Sequence, residues 1–307
     1  MNAVQRDASS VDRDGRRRRP HLGERRRDTE QGVVARPVTG PSATSASEVE
    51  VGRRLFGHAL ERRVFELLAV GPGETVLELA SGAGALCLRL AEIVRPGGRT
   101  ICSDLQPERV EATRRRAVAD DVDVRILDML RLDLPDASVD GVLCRWGFMF
   151  PVPAARAFEE AYRVLRRGRR LVLAVWADPR RNPWITLVDE AVLATGHDLA
   201  VDRREPGRMF SLADPGRLEV LLSSAGFEAI TVEEVGLAWE YDDFGAYWDE
   251  EALIPGPFQD FFAALPKPEL AAIQEHLKVS MKPYAHVRGG YRIPGITLVA
   301  TGRRPDG

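Results

Sequence analysis

The chain contains little cysteine, very little lysine and no long apolar run. Its 307 residues include three cysteines, Cys87, Cys102 and Cys144, which are widely spaced and lie among apolar residues. No two of them have the spacing of zinc ligands, and so few cysteines, odd in number, are typical of reduced thiols in a cytoplasmic protein. The sequence therefore predicts free thiols and no metal site.

Signals for membranes and secretion are also missing. No apolar stretch approaches the roughly 18 residues that a membrane-spanning helix needs, and the first residues lack the apolar core of a secretory signal. Lysine occurs only at Lys267, Lys278 and Lys282, and the formal net charge of -3 gives no whole-chain attraction to a polyanion. We therefore expect a cytoplasmic protein without a membrane span, and no nucleic-acid partner for its folded part.

The first 48 residues differ in composition from the rest. They carry Arg16–Arg19 and Arg25–Arg27 and contain no Phe, Trp, Tyr or Ile. Such a segment buries too little apolar surface to offset the entropy of ordering it, so residues 1–48 are predicted to be a disordered tail. The arginine clusters fit contact with nucleic acid, a solvated tail, or residues that the fold does not use, and the sequence leaves these alternatives open.

Residues 49–307 alternate between strand and helix patterns, which predicts an α/β fold with a doubly wound, mostly parallel, Rossmann-like sheet. The seven predicted strands are Thr75–Leu79, Thr100–Ser103, Val122–Leu127, Val139–Cys144, Leu171–Trp176, Glu228–Trp239 and Gly295–Gly302. The helices expected between the first five are Ala85–Val94, Pro107–Ala119 and Ala154–Leu165. The last two strands are expected to be antiparallel neighbours, with an aromatic-rich helical lid inserted at about residues 243–287.

A glycine-rich turn follows the first strand in VLELASGAGALCLRL, residues 76–90. Small residues at this point let a ligand approach the backbone N–H groups at the start of a helix. The dinucleotide fingerprint G-x-G-x-x-G would place its third glycine at Cys87, and Glu78 within the strand is unusual for that fingerprint. The turn therefore predicts a nucleotide-type ligand but disfavours the simplest dinucleotide site.

Acidic residues follow the next two strands. Asp104 ends the second strand and can accept hydrogen bonds from a ribose diol, and Asp128 follows the third strand, where it can accept from the amino group of adenine. Carboxyl ends of parallel strands meet at one edge of a sheet, so both acids are expected beside the glycine turn.

These segments resemble the class I S-adenosylmethionine-dependent methyltransferases, and within them the ubiquinone/menaquinone-biosynthesis type. The resemblance lies in VLELASGAG (76–84), CSDLQPERV (102–110), ILDMLRLDLPDASVDGVLCRWGFMF (126–150) and EEAYRVLRRGRRLVLAVW (159–176). It implies S-adenosylmethionine as cofactor and methyl transfer to an oxygen or carbon, in preference to nitrogen, of an apolar cyclic small molecule.

The resemblance also implies roles for individual residues. The cofactor-binding set would be Glu78, Ala80, Gly82, Gly84, Asp104, Leu105, Asp128, Met129 and Arg145. Glu78 and the glycines would line the methionine end, Leu105 would pack on the adenine, and Arg145 would lie where cofactor and acceptor meet.

Two departures from the family pattern concern the backbone. Ala80 replaces the first glycine of the turn, which is tolerated if its φ is negative. Arg169 replaces a glycine before the fifth strand, which adds roughly a kcal/mol of strain if its φ is positive.

The acceptor side is predicted from histidines and aromatics. His286 and His58 are the candidate general bases, because histidine titrates near neutrality. The predicted substrate pocket consists of Trp146, Phe148, Trp184, Tyr247 and Trp248. Aromatic walls of this kind suit a flat apolar acceptor such as a phenol or quinol.

Two other functions remain open from the sequence. An NAD-dependent oxidoreductase is disfavoured by Cys87 and Asp128, and a non-catalytic nucleotide-sensing protein is disfavoured by the presence of both Glu78 and Asp104. The oligomeric state cannot be read from the sequence.

Overall fold

The computed structural model describes residues 57–117, 121–198, 202–252, 257–287 and 289–307, and the predicted tail of residues 1–48 lies outside them. The strands are β1 Thr75–Leu79, β2 Arg99–Asp104, β3 Val122–Ile126, β4 Val139–Arg145, β5 Leu165–Trp176, β6 Glu228–Tyr241 and β7 Tyr291–Arg303. The α-helices are α1 Gly57–Leu68, α2 Ala85–Val94, α3 Pro107–Arg116, α4 Ala154–Val164, α5 Pro183–Ala194, α6 Pro215–Ser224, α7 Phe244–Ala252, α8 Pro257–Ala264 and α9 Lys267–Ser280.

The seven strands form one sheet in the order β3-β2-β1-β4-β5-β7-β6. Strands β1 to β5 are parallel, and β7 pairs antiparallel with both β5 and β6. The predicted fold class is therefore confirmed, including the antiparallel last strand. Helices α7, α8 and α9 are inserted between β6 and β7, where the lid is expected.

Apolar residues on both faces of the central strands account for this layering. Leu77 of β1, Val142 of β4 and Leu173 of β5 are fully buried, as expected for strands covered by helices on two sides. Helix α4 buries Ala157, Phe158, Ala161 and Val164 along one stripe, which is the spacing of an amphipathic helix. None of the helices in the described ranges is long and apolar enough to cross a membrane.

Two strands begin four or more residues earlier than the sequence predicts, and β2 begins one residue earlier, at Arg99. Strand β5 begins at Leu165 rather than Leu171, because the arginines in its first half make ion pairs instead of apolar contacts: Arg166 and Arg169 both reach Asp140. Strand β7 begins at Tyr291 rather than Gly295.

Proline does not prevent the early start of β7. Pro294 pairs with Ala238 of β6, and the pairing of β7 with β5 starts only at Thr297. The missing N–H of Pro294 therefore lies on a side of β7 that needs no strand hydrogen bond.

The cysteine prediction is wrong for two of the three thiols. Cys87 in the first turn of α2 and Cys102 in β2 are joined by a disulfide, with Cα atoms 5.7 Å apart. The sequence gives no sign of this pair because the helix and strand meet only in the folded chain. Cys144 is a free thiol, and its burial raises its pKa.

Asn182 connects the end of the sheet to helix α5. It is fully buried, and its Nδ2 donates to the carbonyl oxygens of Ala177, Asp178 and Ile296 at 3.1–3.2 Å. Its Oδ1 accepts from Trp184 Nε1 and from the Ile296 amide, both at 3.1 Å. One side chain thus joins the segment after β5, helix α5 and strand β7.

We expect Asn182→Ala to lower the free energy of unfolding by about 2–4 kcal/mol, because it leaves several buried polar groups without partners. Urea denaturation measures this change. Val220→Ala on helix α6 is the control, since Val220 is 62% exposed and its truncation should change stability by about 0.5 kcal/mol or less. A loss below about 1 kcal/mol for Asn182→Ala would contradict this role.

Candidate functional site

The sheet order places four of the predicted site residues along one edge. Strands β3, β2, β1 and β4 are neighbours in that order. Asp128 follows β3, Asp104 ends β2, Glu78 is the fourth residue of β1, and Arg145 ends β4. Because parallel strands end at the same edge, these residues surround the turn that follows β1, as a crevice at carboxyl ends requires.

The glycine turn is held by hydrogen bonds from β2 and α3. The Ser81 amide donates to the Ser103 carbonyl oxygen at 2.8 Å, and the Thr113 hydroxyl donates to the Gly82 carbonyl oxygen at 2.9 Å. Gly84 has φ 78°, and a Cβ there would lie 2.6 Å from Thr113 Cγ2. Gly82 has φ 56°, but a Cβ there would meet nothing within 4 Å, so this glycine faces open space.

The expectation for Ala80 is wrong. Its φ is 52°, in the left-handed region, where a side chain adds roughly 1–2 kcal/mol of strain. The turn therefore keeps the backbone conformation that a glycine would adopt freely. For the second departure, Gly168 has the positive φ and Arg169 does not, so no strain arises at Arg169.

Glu78 is the most buried acidic group of the site, with 2% of its surface exposed. Its Oε2 atom has no hydrogen-bond partner within the described part of the chain. Burial raises the pKa of its carboxylate to about 8, and the nearby Arg145 charge and Cys87 amide oppose that rise. Arg145 is itself half-buried, and burial lowers its pKa.

Asp104 has a double structural role. Its Oδ2 accepts from the Gly82 amide at 3.0 Å and its Oδ1 accepts from the Gln106 amide at 3.0 Å. Each carboxylate oxygen can accept a second hydrogen bond, so these contacts leave acceptor capacity for a hydroxyl. The next residue, Leu105, is 50% exposed, so its side chain has surface available to a flat ligand.

Asp128 and Met129 lie at the end of β3. Asp128 is exposed, and its Oδ1 accepts from the Leu130 amide at 2.8 Å. Met129 is half-buried, and its Cε atom lies 2.8 Å from the position that a Cβ on Gly147 would occupy. Both residues therefore lie beside the segment that follows β4.

Trp146 adopts a backbone conformation that is rare for a large side chain. Its φ is 57°, and its ring stacks on Trp176 with centroids 4.4 Å apart and planes 10° from parallel. Its Nε1 donates to Thr297 Oγ1 at 3.2 Å, and the Arg145 guanidinium lies 5.1 Å from its ring centroid. Left-handed conformations of this kind cluster at functional sites, where surrounding contacts enforce them.

The other aromatics of the predicted pocket lie mostly in the core. Phe148 and Tyr247 are fully buried, and the Tyr247 hydroxyl donates to the Trp184 carbonyl oxygen at 2.8 Å. Trp184 is 5% exposed and stacks on Trp239 at 4.9 Å. Trp146 and Trp248 are half-buried and retain surface for a ligand. A pocket role for the buried three stays a prediction.

Neither candidate base is brought to the glycine turn by a described contact. His286 lies just before β7, where its amide donates to the Gly290 carbonyl oxygen at 3.0 Å. Tyr291 at the start of β7 is six residues from Thr297, a span of about 20 Å along the strand. His58 belongs to helix α1, but its side chain lies outside the described residues. Both assignments stay predictions.

Several residues that support the turn are not predicted from the sequence. The Thr113 hydroxyl donates to the Gly82 carbonyl oxygen, the Ser103 carbonyl oxygen accepts from the Ser81 amide, and the Cys87 amide lies near Glu78. A buried threonine in the arginine-rich helix α3 was the only signal for Thr113, and the amide of Cys87 gave none.

Comparisons with known proteins agree with this geometry. A family model described as a methyltransferase domain matches residues 76–168. The arsenite methyltransferase of Halobacterium salinarum is 30% identical over 186 residues, which cover 60% of this chain and 44% of that protein. The YcgJ protein of Bacillus subtilis, at 15% identity, shares the fold with a TM-score of 0.55 over 82% of this chain and 100% of its own.

The demethylmenaquinone methyltransferase of Symbiobacterium thermophilum is 33% identical over 174 residues, which cover 51% of this chain and 69% of that protein. The chain spans about half the length of other curated relatives that it matches, between 44% and 56%. With its glycine turn and acidic strand ends in the family's order, the chain belongs to the class I S-adenosylmethionine-dependent methyltransferases.

Proposed function

We propose that this protein transfers a methyl group from S-adenosylmethionine to an oxygen or carbon of an apolar cyclic small molecule such as a phenol or quinol. The observation that carries the proposal is the buried Oε2 atom of Glu78, which has no hydrogen-bond partner within the described part of the chain and lies in the strand that leads into the glycine turn. A buried carboxylate oxygen without a donor is unfavourable, and a ligand that brings a cationic donor removes the penalty.

The residues present fit the cofactor from end to end. The ammonium group of the methionine moiety would donate to Glu78, and the backbone at Gly82 leaves room for its approach. Asp104 retains acceptor capacity for the ribose hydroxyls. The exposed Leu105 would pack on the adenine ring, and the exposed Asp128 would accept a hydrogen bond from its amino group. When bound, S-adenosylmethionine supplies a methyl group on a sulfonium sulfur, which is a good leaving group.

The chain's own contribution is mainly positioning. Trp146 is fixed by its stacking on Trp176 and its hydrogen bond to Thr297, so its exposed surface is a rigid wall at the edge where the acceptor would lie. Rigid placement of the acceptor beside the methyl donor makes the reaction effectively unimolecular, which is equivalent to a high effective concentration of the acceptor. Aromatic walls also exclude water.

Two features favour a flat apolar acceptor. Trp248 of the inserted helices packs on Phe262 at 5.0 Å and remains half-buried, which adds aromatic surface outside the core. Relatives named demethylmenaquinone methyltransferase and ubiquinone/menaquinone biosynthesis C-methyltransferase carry quinone-type acceptors in their names. An acceptor hydroxyl would lose its proton during transfer, and His286 is the candidate base that the sequence predicts, although no described contact brings it to the crevice.

Isothermal titration with S-adenosylhomocysteine, with NAD(H) as the control ligand, tests the cofactor assignment. We expect micromolar binding of S-adenosylhomocysteine and none of NAD(H), after which phenols and quinols are screened with radiolabelled S-adenosylmethionine. Binding of NAD(H) alone would support an oxidoreductase, and binding of neither would contradict the proposal.

Glu78→Gln and Asp104→Asn should each weaken S-adenosylhomocysteine binding by about tenfold or more, because each removes a charged acceptor while keeping the side-chain shape. Calorimetry measures the affinities, and circular dichroism verifies the fold. Glu219→Gln, at an exposed position of helix α6, is the matched control and should bind like the wild type. Unchanged affinity in both site variants would refute the assignment of these residues.

The raised pKa of Glu78 predicts a pH-dependent stability difference in the absence of ligand. Its pKa rises from 4.5 to about 8 on folding, so the folded chain holds a proton that the unfolded chain lacks between these values. The contribution of protonated Glu78 to the free energy of unfolding is therefore complete below pH 4.5, and it is lost as the pH rises towards 8. Glutamine does not titrate, so Glu78→Gln should gain about 2–4 kcal/mol relative to the wild type between pH 5 and pH 8.

Urea denaturation at several pH values measures that difference, and Glu219→Gln again serves as the control. A difference between Glu78→Gln and the wild type that stays constant from pH 5 to pH 8 would show that Glu78 is not held protonated.

If His286 receives the acceptor's proton, His286→Ala should lower kcat for a hydroxyl acceptor by about 100-fold while leaving the affinity for S-adenosylhomocysteine unchanged, as removal of a general base does. Steady-state kinetics with the acceptor found in the screen gives kcat. An unchanged kcat would remove His286 from the role of base.

A further inference from the structure

The disulfide between Cys87 and Cys102 lies directly beneath the candidate cofactor site. Cys87 is in the first turn of helix α2, the helix that follows the glycine turn, and Cys102 is in the middle of strand β2. Both cysteines are fully buried. The bond therefore fixes the beginning of the helix against the strand that ends at Asp104.

Both ends of the disulfide adjoin Glu78. In the pairing of β1 with β2, Cys102 is the direct partner of Glu78. On the other side, the Cys87 amide lies close enough to the Glu78 carboxylate to oppose the rise in its pKa that burial causes. The carboxylate that we assign to the cofactor's ammonium group is thus flanked by the two cross-linked residues.

The same short piece of β2 also holds the glycine turn. Ser103 follows Cys102, its hydroxyl donates to the Glu78 carbonyl oxygen at 2.9 Å, and its carbonyl oxygen accepts from the Ser81 amide. Asp104 then accepts from the Gly82 amide at 3.0 Å. A shift of α2 relative to β2 would therefore change the position of the Cys87 amide and of the turn together.

We propose that the Cys87–Cys102 disulfide is a redox-controlled modification site that sets the affinity for the cofactor, tight when oxidised and weaker when reduced. This inference rests on the proposed cofactor site. Because both sulfur atoms are fully buried, exchange requires the first turn of α2 to open locally. In the reducing direction, a dithiol then gives two electrons and two protons to the S–S bond, which becomes two thiols while the dithiol closes to a disulfide. In the oxidising direction, two molecules of reduced glutathione form from one oxidised glutathione as the protein bond is restored.

The direction of the effect follows from packing. Two thiols are not bonded and need van der Waals separation, so reduction pushes the first turn of α2 away from β2. The neighbouring side chains Leu86 and Leu90 are buried, so the sulfur atoms separate within a packed core, where a small displacement also moves the helix. The first turn of α2 then moves relative to Glu78, and a less preorganised site binds its ligand more weakly.

Titration of the full chain with S-adenosylhomocysteine, before and after reduction by tris(2-carboxyethyl)phosphine, tests the inference. We expect the reduced protein to bind about fivefold or more weakly, and oxidised glutathione to restore the affinity. Alkylation under denaturing conditions followed by mass spectrometry counts the free thiols in each sample, which should change from one to three.

Two variants separate the disulfide from other effects of the reductant. Cys144→Ala removes the free thiol and should keep the full difference between oxidised and reduced protein. Cys102→Ala cannot form the bond and should bind weakly with or without reductant. The reduced wild type gives the same information if Cys102→Ala does not fold.

Three results would overturn the inference. Equal affinity of the oxidised and reduced forms would leave the proposed function intact and remove the redox control. If all three thiols stay free after treatment with oxidised glutathione, the disulfide does not form and the redox control is likewise removed. Absence of S-adenosylhomocysteine binding in both forms would instead remove the proposed function along with it.

Discussion

The burial of Glu78 in the central strand β1 is the constraint on which the crevice depends. An ionised carboxylate with 2% exposure is unfavourable unless it is paired or hydrogen-bonded, and here burial raises the pKa to about 8. The neighbouring elements reduce that penalty only in part: the Arg145 charge and the nearby Cys87 amide both lower the pKa, while Oε2 has no hydrogen-bond partner in the described chain. The protein therefore holds a group that a cationic ligand would satisfy better than the protein does.

Backbone strain is concentrated around the same group. Ala80 and Trp146 both have positive φ. Ala80 directly follows Leu79 and Trp146 lies two residues after Cys144, and Leu79 and Cys144 are paired residues of the adjacent strands β1 and β4. The two strained turns are also in close proximity, since a Cβ on Gly147 would lie 2.6 Å from the Ala80 Cβ. Strain of about 1–3 kcal/mol at each position persists only where surrounding contacts enforce it. Stacking of Trp146 on Trp176 and the pairing of the central strands supply those contacts, so the crevice edge is rigid on the side of the acceptor as well as on the side of the cofactor.

The sequence was sufficient to place the acidic strand ends of the crevice. It was insufficient to predict the contacts and backbone conformations that hold the crevice in place. Asp104 and Asp128 could be placed because carboxyl ends of parallel strands share one edge, and apolar runs mark those strands. The first half of β5 could not be predicted, because its arginines are stabilised by Asp140, which is distant in sequence. The sign of φ at Ala80 was not readable from a run of small residues, any of which fits a tight turn. The sequence also did not distinguish buried aromatic residues from partly exposed ones: Trp184 and Tyr247 lie in the core, whereas Trp146 and Trp248 retain exposed surface.

At the position of Cys87, dinucleotide-binding folds and this protein use different residues to hold the helix after the glycine turn against the sheet. In dinucleotide-binding folds the third glycine of the fingerprint permits close packing of the helix on the sheet. Here a cysteine occupies that position, and the close approach is made by a covalent bond to Cys102, with Cα atoms 5.7 Å apart. Packing through a glycine is permanent, whereas a disulfide can be formed and broken without changing the sequence. The helix position beneath Glu78 therefore depends on the oxidation state of two buried sulfur atoms, and the departure from the fingerprint that argued against a dinucleotide is also the feature that makes this site chemically adjustable.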